Sequence, residues 1–246
     1  MSLVQDVSSE LKDFARVFDK ICYRHGDYGR CFNDFIDLWT AGMLVHGDPE
    51  LADRMKKQYG KDYDLFFELQ REMILAYSKK IYNDGLWYDG FGLFYETIAS
   101  RYKSSYLGQF FTPAPICDLM AQITQPKDAE TVMDCCSGSG RLILSAKIIC
   151  PTAKFYACDV DPICSKMTAL NMALHGCIGE SSCMDALRMQ WKYGYRINPY
   201  FGLPGINPIP HLLPINSFEN SMFFFKTPQV EKAIEKVNKH GQFALF

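Results

Sequence analysis

Three acids each close a short apolar segment: Asp134 after "TVM", Asp159 after "KFYAC" and Asp185 after "SSCM". The first runs straight into Cys135-Cys136-Ser137-Gly138-Ser139-Gly140-Arg141. Glycines at a strand-to-helix turn allow positive φ and close approach of a ligand to the backbone. The helix start behind such a turn presents free N–H groups. No Gly-Lys-Ser/Thr follows, so this is not a P-loop, and the spacing is not G-x-G-x-x-G. A carboxylate just before the turn repels a pyrophosphate and suits a cationic amino group or an N–H donor.

Asp159 lies 25 residues beyond Asp134. An acid there can accept both hydroxyls of a ribose. The carboxylate of Asp185 can accept from an adenine amino group. An amino group, a ribose diol and an adenine amine together describe S-adenosylmethionine. The plainer alternative is that the acids are helix N-caps. That suits Asp161, which directly precedes Pro162, better than Asp134 or Asp159, which sit inside apolar segments.

The elements that would position these acids follow from periodicity. Residues 131–136 and 154–160 read as buried strands, and 177–186 as a third. Residues 140–150 and 161–176 read as helices, the second with Pro162 near its start and Gly176 at its end. Strands alternating with helices predict a parallel sheet covered on both faces. Before residue 104 the pattern is helical throughout. Ser8 or Ser9 caps a helix with Leu11, Phe14, Phe18, Ile21 and Cys22 on one face. Segments 30–47, 48–60, 62–82 and 89–105 give four more, the second with Asp48 at its cap and Lys56 and Lys57 in its last turn. The aromatics there recur at helical spacing and read as core.

The expected organisation is therefore a helical domain at 1–104 and an α/β domain at 105–246. The 246 residues carry a net charge of −2 and are 48% apolar, which argues against a generally basic nucleic-acid coat. No apolar run reaches the roughly 18 residues of a membrane span. The N-terminus lacks a secretory pattern, so a cytoplasmic protein is expected. Ten cysteines include no C-x-x-C pair, which predicts buried, reduced thiols and no metal site.

With these residues in view, the chain resembles the N6-adenine DNA methyltransferases of the type I restriction modification-subunit group, the N-6 DNA methylase family. The resemblance spans about residues 89–187 in four segments. Residues 89–123 are similar to a lead-in ending in G-x-F-[YF]-T-P. "DCCSGSGR" is similar to D-P-x-x-G-S-G, with Cys135 in place of proline. Residues 156–176 are similar to the second motif, and "CMDAL" to G-[DN]-[AS]-L, with Met184 in the glycine position.

The resemblance implies an α/β fold, a Rossmann-like S-adenosylmethionine-dependent methyltransferase sheet behind an N-terminal all-helical domain. It implies S-adenosylmethionine as cofactor. Phe111, Thr112 and Pro113 would contact its methionine part. Asp134 and the backbone of Ser137, Gly138, Ser139 and Gly140 would hold its amino and carboxylate ends. Asp159, with Val160 beside it, would take the ribose, and Asp185, with Ala186, the adenine. DNA is the implied substrate, a partner chain the implied source of target recognition, and a homo-oligomer stays open.

Transfer to adenine N6 needs an Asn or Asp followed by Pro-Pro and an aromatic at a fourth strand tip. Its acceptors concentrate the amine lone pair for attack, and its ring stacks on a flipped base. Asn198-Pro199-Tyr200 is one proline short, and Asn207-Pro208-Ile209-Pro210 lacks the aromatic. Both also read as proline-rich loop, and residues 190–196 read as a poor buried strand. Residues 229–246 read as a helix and fifth strand. Three readings follow: an N6-adenine DNA methyltransferase, a degenerate cofactor-binding module acting through a partner, and a methyltransferase with a non-DNA acceptor.

Overall fold

A computed structural model describes residues 2–102, 110–127, 129–204 and 209–224. Five helices form the N-terminal part: α1 (Lys12–His25), α2 (Tyr28–Met43), α3 (Pro49–Tyr59), α4 (Asp64–Ser78) and α5 (Gly90–Tyr102). Asp27 and Asp48 cap α2 and α3 by accepting from Arg30 and Leu51 N–H groups at 3.0 Å each, which satisfies otherwise orphan donors. Gly26 closes α1 at φ +88, a conformation glycine adopts without steric cost.

The apolar stripes meet in one aromatic core. Phe14 packs edge-on against Phe35 and Phe94, with centroids 5.2 and 4.6 Å apart. Such pairs contribute about 0.5–1.5 kcal/mol each beyond their burial. Of the N-terminal aromatics expected to be core, Phe18, Phe32, Phe66, Phe91 and Tyr95 are fully buried, while Tyr23, Phe67 and Tyr82 are exposed.

The second part contains α6 (Ala114–Thr124), α7 (Arg141–Ile149) and α8 (Pro162–Leu174), with strands β1 (Thr131–Asp134), β2 (Lys154–Asp159), β3 (Ile178–Asp185), β4 (Gln190–Ile197) and β5 (Leu212–Ile215). The sheet order is β1-β2-β3-β4-β5. The first three strands are parallel, as the alternation of strands and helices requires. Helix α6 and strand β5 carried no signal read from the sequence.

The sheet then departs from expectation. β4 pairs antiparallel with β3, and β5 antiparallel with β4. Only residues 186–189 join β3 to β4, far fewer than a parallel crossover needs. The alternating burial of β4 is that of a half-solvated antiparallel strand, which explains why it reads poorly as a buried one. The helix and strand expected at 229–246 lie outside the described residues.

Helix α8 joins the two parts. Its Cys164, Met167 and Leu170 belong to the same apolar cluster as the N-terminal aromatics. Lys166 on α8 adds an ion pair to Asp37 on α2 at 2.6 Å. The segments 1–104 and 105–246 thus share a core. The other face of α8 packs on the sheet through Ala169, Met172 and Ala173.

Candidate cofactor site

The parallel register puts Asp134 and Asp159 at the C-terminal tips of neighbouring strands. Asp134 stands opposite Ala157, and Asp159 opposite Cys183. Between them runs the turn 135–140. Its left-handed glycines are Gly138 (φ +56) and Gly140 (φ +94). A Cβ on Gly138 would lie 2.7 Å from the Phe111 ring, so only glycine lets that ring close over the turn.

The turn is built largely from its own backbone. The Ser137 N–H donates to Cys158 O at 3.0 Å and Gly140 to Ser137 O at 2.7 Å. Gly138 N–H donates to Asp159 Oδ2 at 2.8 Å. These three N–H groups therefore hold the loop together rather than face a ligand, unlike the expectation for 137–140. Thr168 and Asn171 on α8 fasten it from below, through Gly138 O at 3.0 Å and Ser139 O at 2.7 Å.

A cavity of about 300 Å³ opens above the turn, lined by Phe111, Thr112, Asp134, Cys136, Gly138 and Asp159 among others. Asp134 Oδ1 accepts from the Cys136 N–H at 3.0 Å. Its Oδ2 is sealed from solvent and has no hydrogen-bond partner. Burial raises Asp134 above the usual carboxylate range, and Asp159 nearby raises it further against the Cys136 hydrogen bond. Burial likewise raises Asp159. Its two oxygens accept from Gly138 and Asp161 N–H groups, and a carboxylate keeps further lone-pair sites for a ligand.

A second layer, not read from the sequence, holds this arrangement. Asp89, at the start of α5, is 2% exposed. It accepts from Ser139 Oγ at 2.6 Å, Arg141 Nε at 2.6 Å, Asn171 Nδ2 at 2.8 Å and the Gly92 N–H at 2.8 Å. Arg141 also pairs with Glu96 at 2.7 Å, and its guanidinium lies 5.4 Å from the Phe111 centroid. Glu96 Oε1 in turn accepts from the Phe111 N–H at 3.0 Å. The segment 110–113 is thus clamped over the turn by α5 and α7. The one sequence sign of Asp89 was its place before Gly90 in "DGFG", a helix-cap position.

The remaining expected residues are placed as follows. Pro113 lines a separate cavity with Trp87 and Asp118. Asp185 caps the β3–β4 turn, accepting from Leu187 and Arg188 N–H groups at 3.1 and 3.0 Å. It stands on the same sheet edge as Asp159 but does not line the cavity. Val160 is exposed and Ala186 half-buried. Among the described residues no group of acids, cysteines and histidines could hold a metal ion. Eight of the ten cysteines are buried, as expected, while Cys135 and Cys136 are exposed. They occupy a turn on the surface rather than a packed strand.

Asn198, Pro199 and Tyr200 are not brought to this site. Ile197 pairs with Gly179 near the start of β3, whereas Gln190 pairs with Asp185 at its end. Those levels are about 20 Å apart along the strand, at about 3.3 Å per residue. Because β4 runs antiparallel, its end points to the opposite sheet edge. Asn198 is fully buried. Its Nδ2 donates to Ala173 O at 3.1 Å and Cys177 O at 2.9 Å, and its Oδ1 accepts from the His211 N–H at 3.0 Å. Every polar atom of that amide is thus committed to backbone. Tyr200 stacks on His211 at 5.1 Å. The alternative Asn207-Pro208 lies outside the described residues.

Among known proteins, residues 87–190 match the family described as N-6 DNA Methylase. No curated protein matches. Two solved structures are similar at low identity. One is a modification subunit assigned to a type I restriction enzyme of Vibrio vulnificus YJ016, 16% identical over 46% of this chain and 25% of that one, with a TM-score of 0.34. The other is a type I restriction-modification system methyltransferase subunit of Streptococcus thermophilus, 16% identical over 71% of this chain and 53% of that one, with a TM-score of 0.28. The chain spans about a quarter of the first and half of the second.

Proposed function

We propose that this chain, whose residues 87–190 match the N-6 DNA Methylase family, binds S-adenosylmethionine in the cavity at the tips of β1 and β2 and serves methyl transfer to adenine N6 in DNA. The observation that carries the reading is the pair Asp134 and Asp159, carboxylates at neighbouring strand tips that line one cavity together with Phe111 and the glycine turn. Two carboxylates in one cavity attract a ligand ammonium group.

The residues fit the cofactor. Asp134 would hold its amino group and Asp159 its ribose hydroxyls. Phe111 would cover its apolar chain. Two adjacent carboxylates favour a ligand with net positive charge, which a sulfonium with an ammonium group supplies. When bound, the cofactor supplies an electrophilic methyl group. The chain's own contribution is to fix the donor: the Asp89–Arg141–Glu96 cluster holds the 110–113 segment and the turn at one separation. Phe111, 9% exposed, excludes water from that side.

A specific observation favours a second reading, in which the chain holds the cofactor and another chain supplies the acceptor chemistry and target recognition. Asn198 is fully committed to backbone, at the far edge of the sheet. Calorimetric titration with S-adenosylmethionine and S-adenosylhomocysteine tests the shared premise. Micromolar binding that is weakened in Asp159→Ala supports it; no binding of either removes both readings. Transfer of labelled methyl to adenine-containing DNA by this chain alone supports the first reading. Binding without transfer supports the second.

A further inference from the structure

A second cavity, of about 580 Å³, opens between α2, α5 and the first turn of α8. Asp27, Asp34 and Asp37 line it from α2 and its cap, Asp161 and Lys166 from the start of α8, and Tyr95 from α5. Tyr95 is fully buried, and its hydroxyl has no hydrogen-bond partner. Burial, then Cys164, Asp161 and Asp159, push its phenol up, so the hydroxyl end lies toward the start of α8 and these acids. A buried hydroxyl without a partner is destabilising, and a ligand seated in the cavity relieves it.

We propose that this cavity binds an elongated aliphatic polyamine, with one ammonium group donating to the Tyr95 hydroxyl and the others meeting the acids of α2. The site adjoins the cofactor cavity. The Asp161 N–H donates to Asp159 at 2.9 Å, and the Tyr95 ring lies 5.6 Å from that of Phe111. It rests on its own geometry and not on the cofactor reading.

The cationic preference follows from the lining. Among the described residues, four carboxylates share this cavity with two cations, Arg30 and Lys166. Lys166 is committed to Asp37 at 2.6 Å. Arg30 reaches Asp34 only at 3.9 Å, and its side chain is 62% exposed, so it yields readily to a ligand. Asp27 accepts from the Arg30 N–H, and Asp34 from Gln58 and Tyr59; a carboxylate keeps further lone-pair sites beyond such bonds. The surplus negative charge attracts a cation and repels an anion.

The spread of the acids sets the shape of that cation. Among the described residues no group of acids, cysteines and histidines could hold a metal ion. Asp27 and Asp37 are ten residues apart, which along α2 is about 15 Å at a rise of about 1.5 Å per residue. A compact cation meets one of these carboxylates at a time. A flexible chain with several ammonium groups meets them together and still reaches Tyr95.

The test is calorimetric titration of the full chain, near neutral pH and at fixed ionic strength, with spermidine, putrescine, n-butylamine and magnesium chloride. Spermidine should saturate a single site and bind at least about 5-fold tighter than n-butylamine, the gain of two added exposed ion pairs. Putrescine should fall between them, and magnesium should bind no better than n-butylamine. Tyr95→Phe should weaken spermidine about 5-fold, the loss of one hydrogen bond to an ammonium group. Its melting temperature should not fall, because the hydroxyl has no partner to lose. Asn33, exposed at the cavity wall, carries the second variant: Asn33→Lys adds a cation there without disturbing the core and should abolish spermidine binding. No saturable binding of spermidine, equal or tighter binding of n-butylamine or magnesium, or unchanged spermidine affinity in either variant would overturn the site. Displacement of spermidine by S-adenosylhomocysteine would overturn it as well, by making the cavity part of the cofactor's own.

Discussion

Arg141 donates through Nε to Asp89 at 2.6 Å, across 52 residues of chain, with both side chains almost fully buried. This pair ties the first turn of α7, and with it the glycine turn, to the start of α5. The site is thus assembled by an ion pair between the helical part and the α/β part.

Removing one partner of a buried pair strands the other charge, at a cost of about 3–5 kcal/mol. Asp89→Ala should therefore destabilise the fold by that amount, because Ser139, Asn171 and Gly92 lose their acceptor as well. Urea unfolding of the variant measures it. A change below about 1 kcal/mol would show that the pair does not organise the core. Glu96→Ala, at the half-buried end of the cluster, should cost less stability.

Asp159→Ala should weaken S-adenosylmethionine binding by about 1–3 kcal/mol, the cost of a lost hydrogen bond to a charged group. Unchanged affinity would remove the ribose assignment. Asp134 adds a pH dependence. Burial raises its folded pKa, so the ionised form that an ammonium needs is complete only above that raised value. Cofactor affinity should fall as pH drops through it, beginning above the usual carboxylate range of about 3.9. Asp134→Asn should flatten that fall, as calorimetry at several pH values would read.

His175 titrates in the opposite sense. Burial lowers its pKa from 6.5 to about 4, while its ring bonds Asn171 O at 2.7 Å and accepts from the Tyr88 N–H at 3.1 Å. The unfolded chain then binds the proton more readily than the fold does. Stability is full above about pH 6.5 and is lost as pH falls toward 4, by about 3 kcal/mol at most. The difference in melting temperature between parent and His175→Gln, followed over that window, isolates this effect from Asp134 and Asp159. A pH-independent difference would refute it.

Asn198→Ala should behave as a stability variant. It removes the donors to Ala173 O and Cys177 O and the acceptor for His211, costing about 1–3 kcal/mol. Asn198 also sits at φ +48, a region that Asn tolerates better than Ala. Cofactor affinity should stay at the parent value. Loss of methyl transfer with unchanged stability would return Asn198 to the acceptor site.

What the sequence determined by itself is local. Helical periodicity, the cap at Asp48, three strands closed by acids and the left-handed glycines at 138 and 140 are all properties of a few consecutive residues. They suffice for the α/β class and for Asp134 and Asp159 at one sheet edge. The tertiary structure alone decided the rest. Asp89 meets Arg141, and Glu96 meets the Phe111 N–H, because separate elements pack together, and nothing in either short stretch records the other. The fate of Asn198 turned on strand direction. An antiparallel β4 sends its end to the far edge of the sheet, where a parallel one would have reached the tips beside Asp159. Its neighbouring residue types are the same either way. The four-residue link 186–189 was the one sequence sign of that reversal, since a chain so short can turn back but cannot cross over.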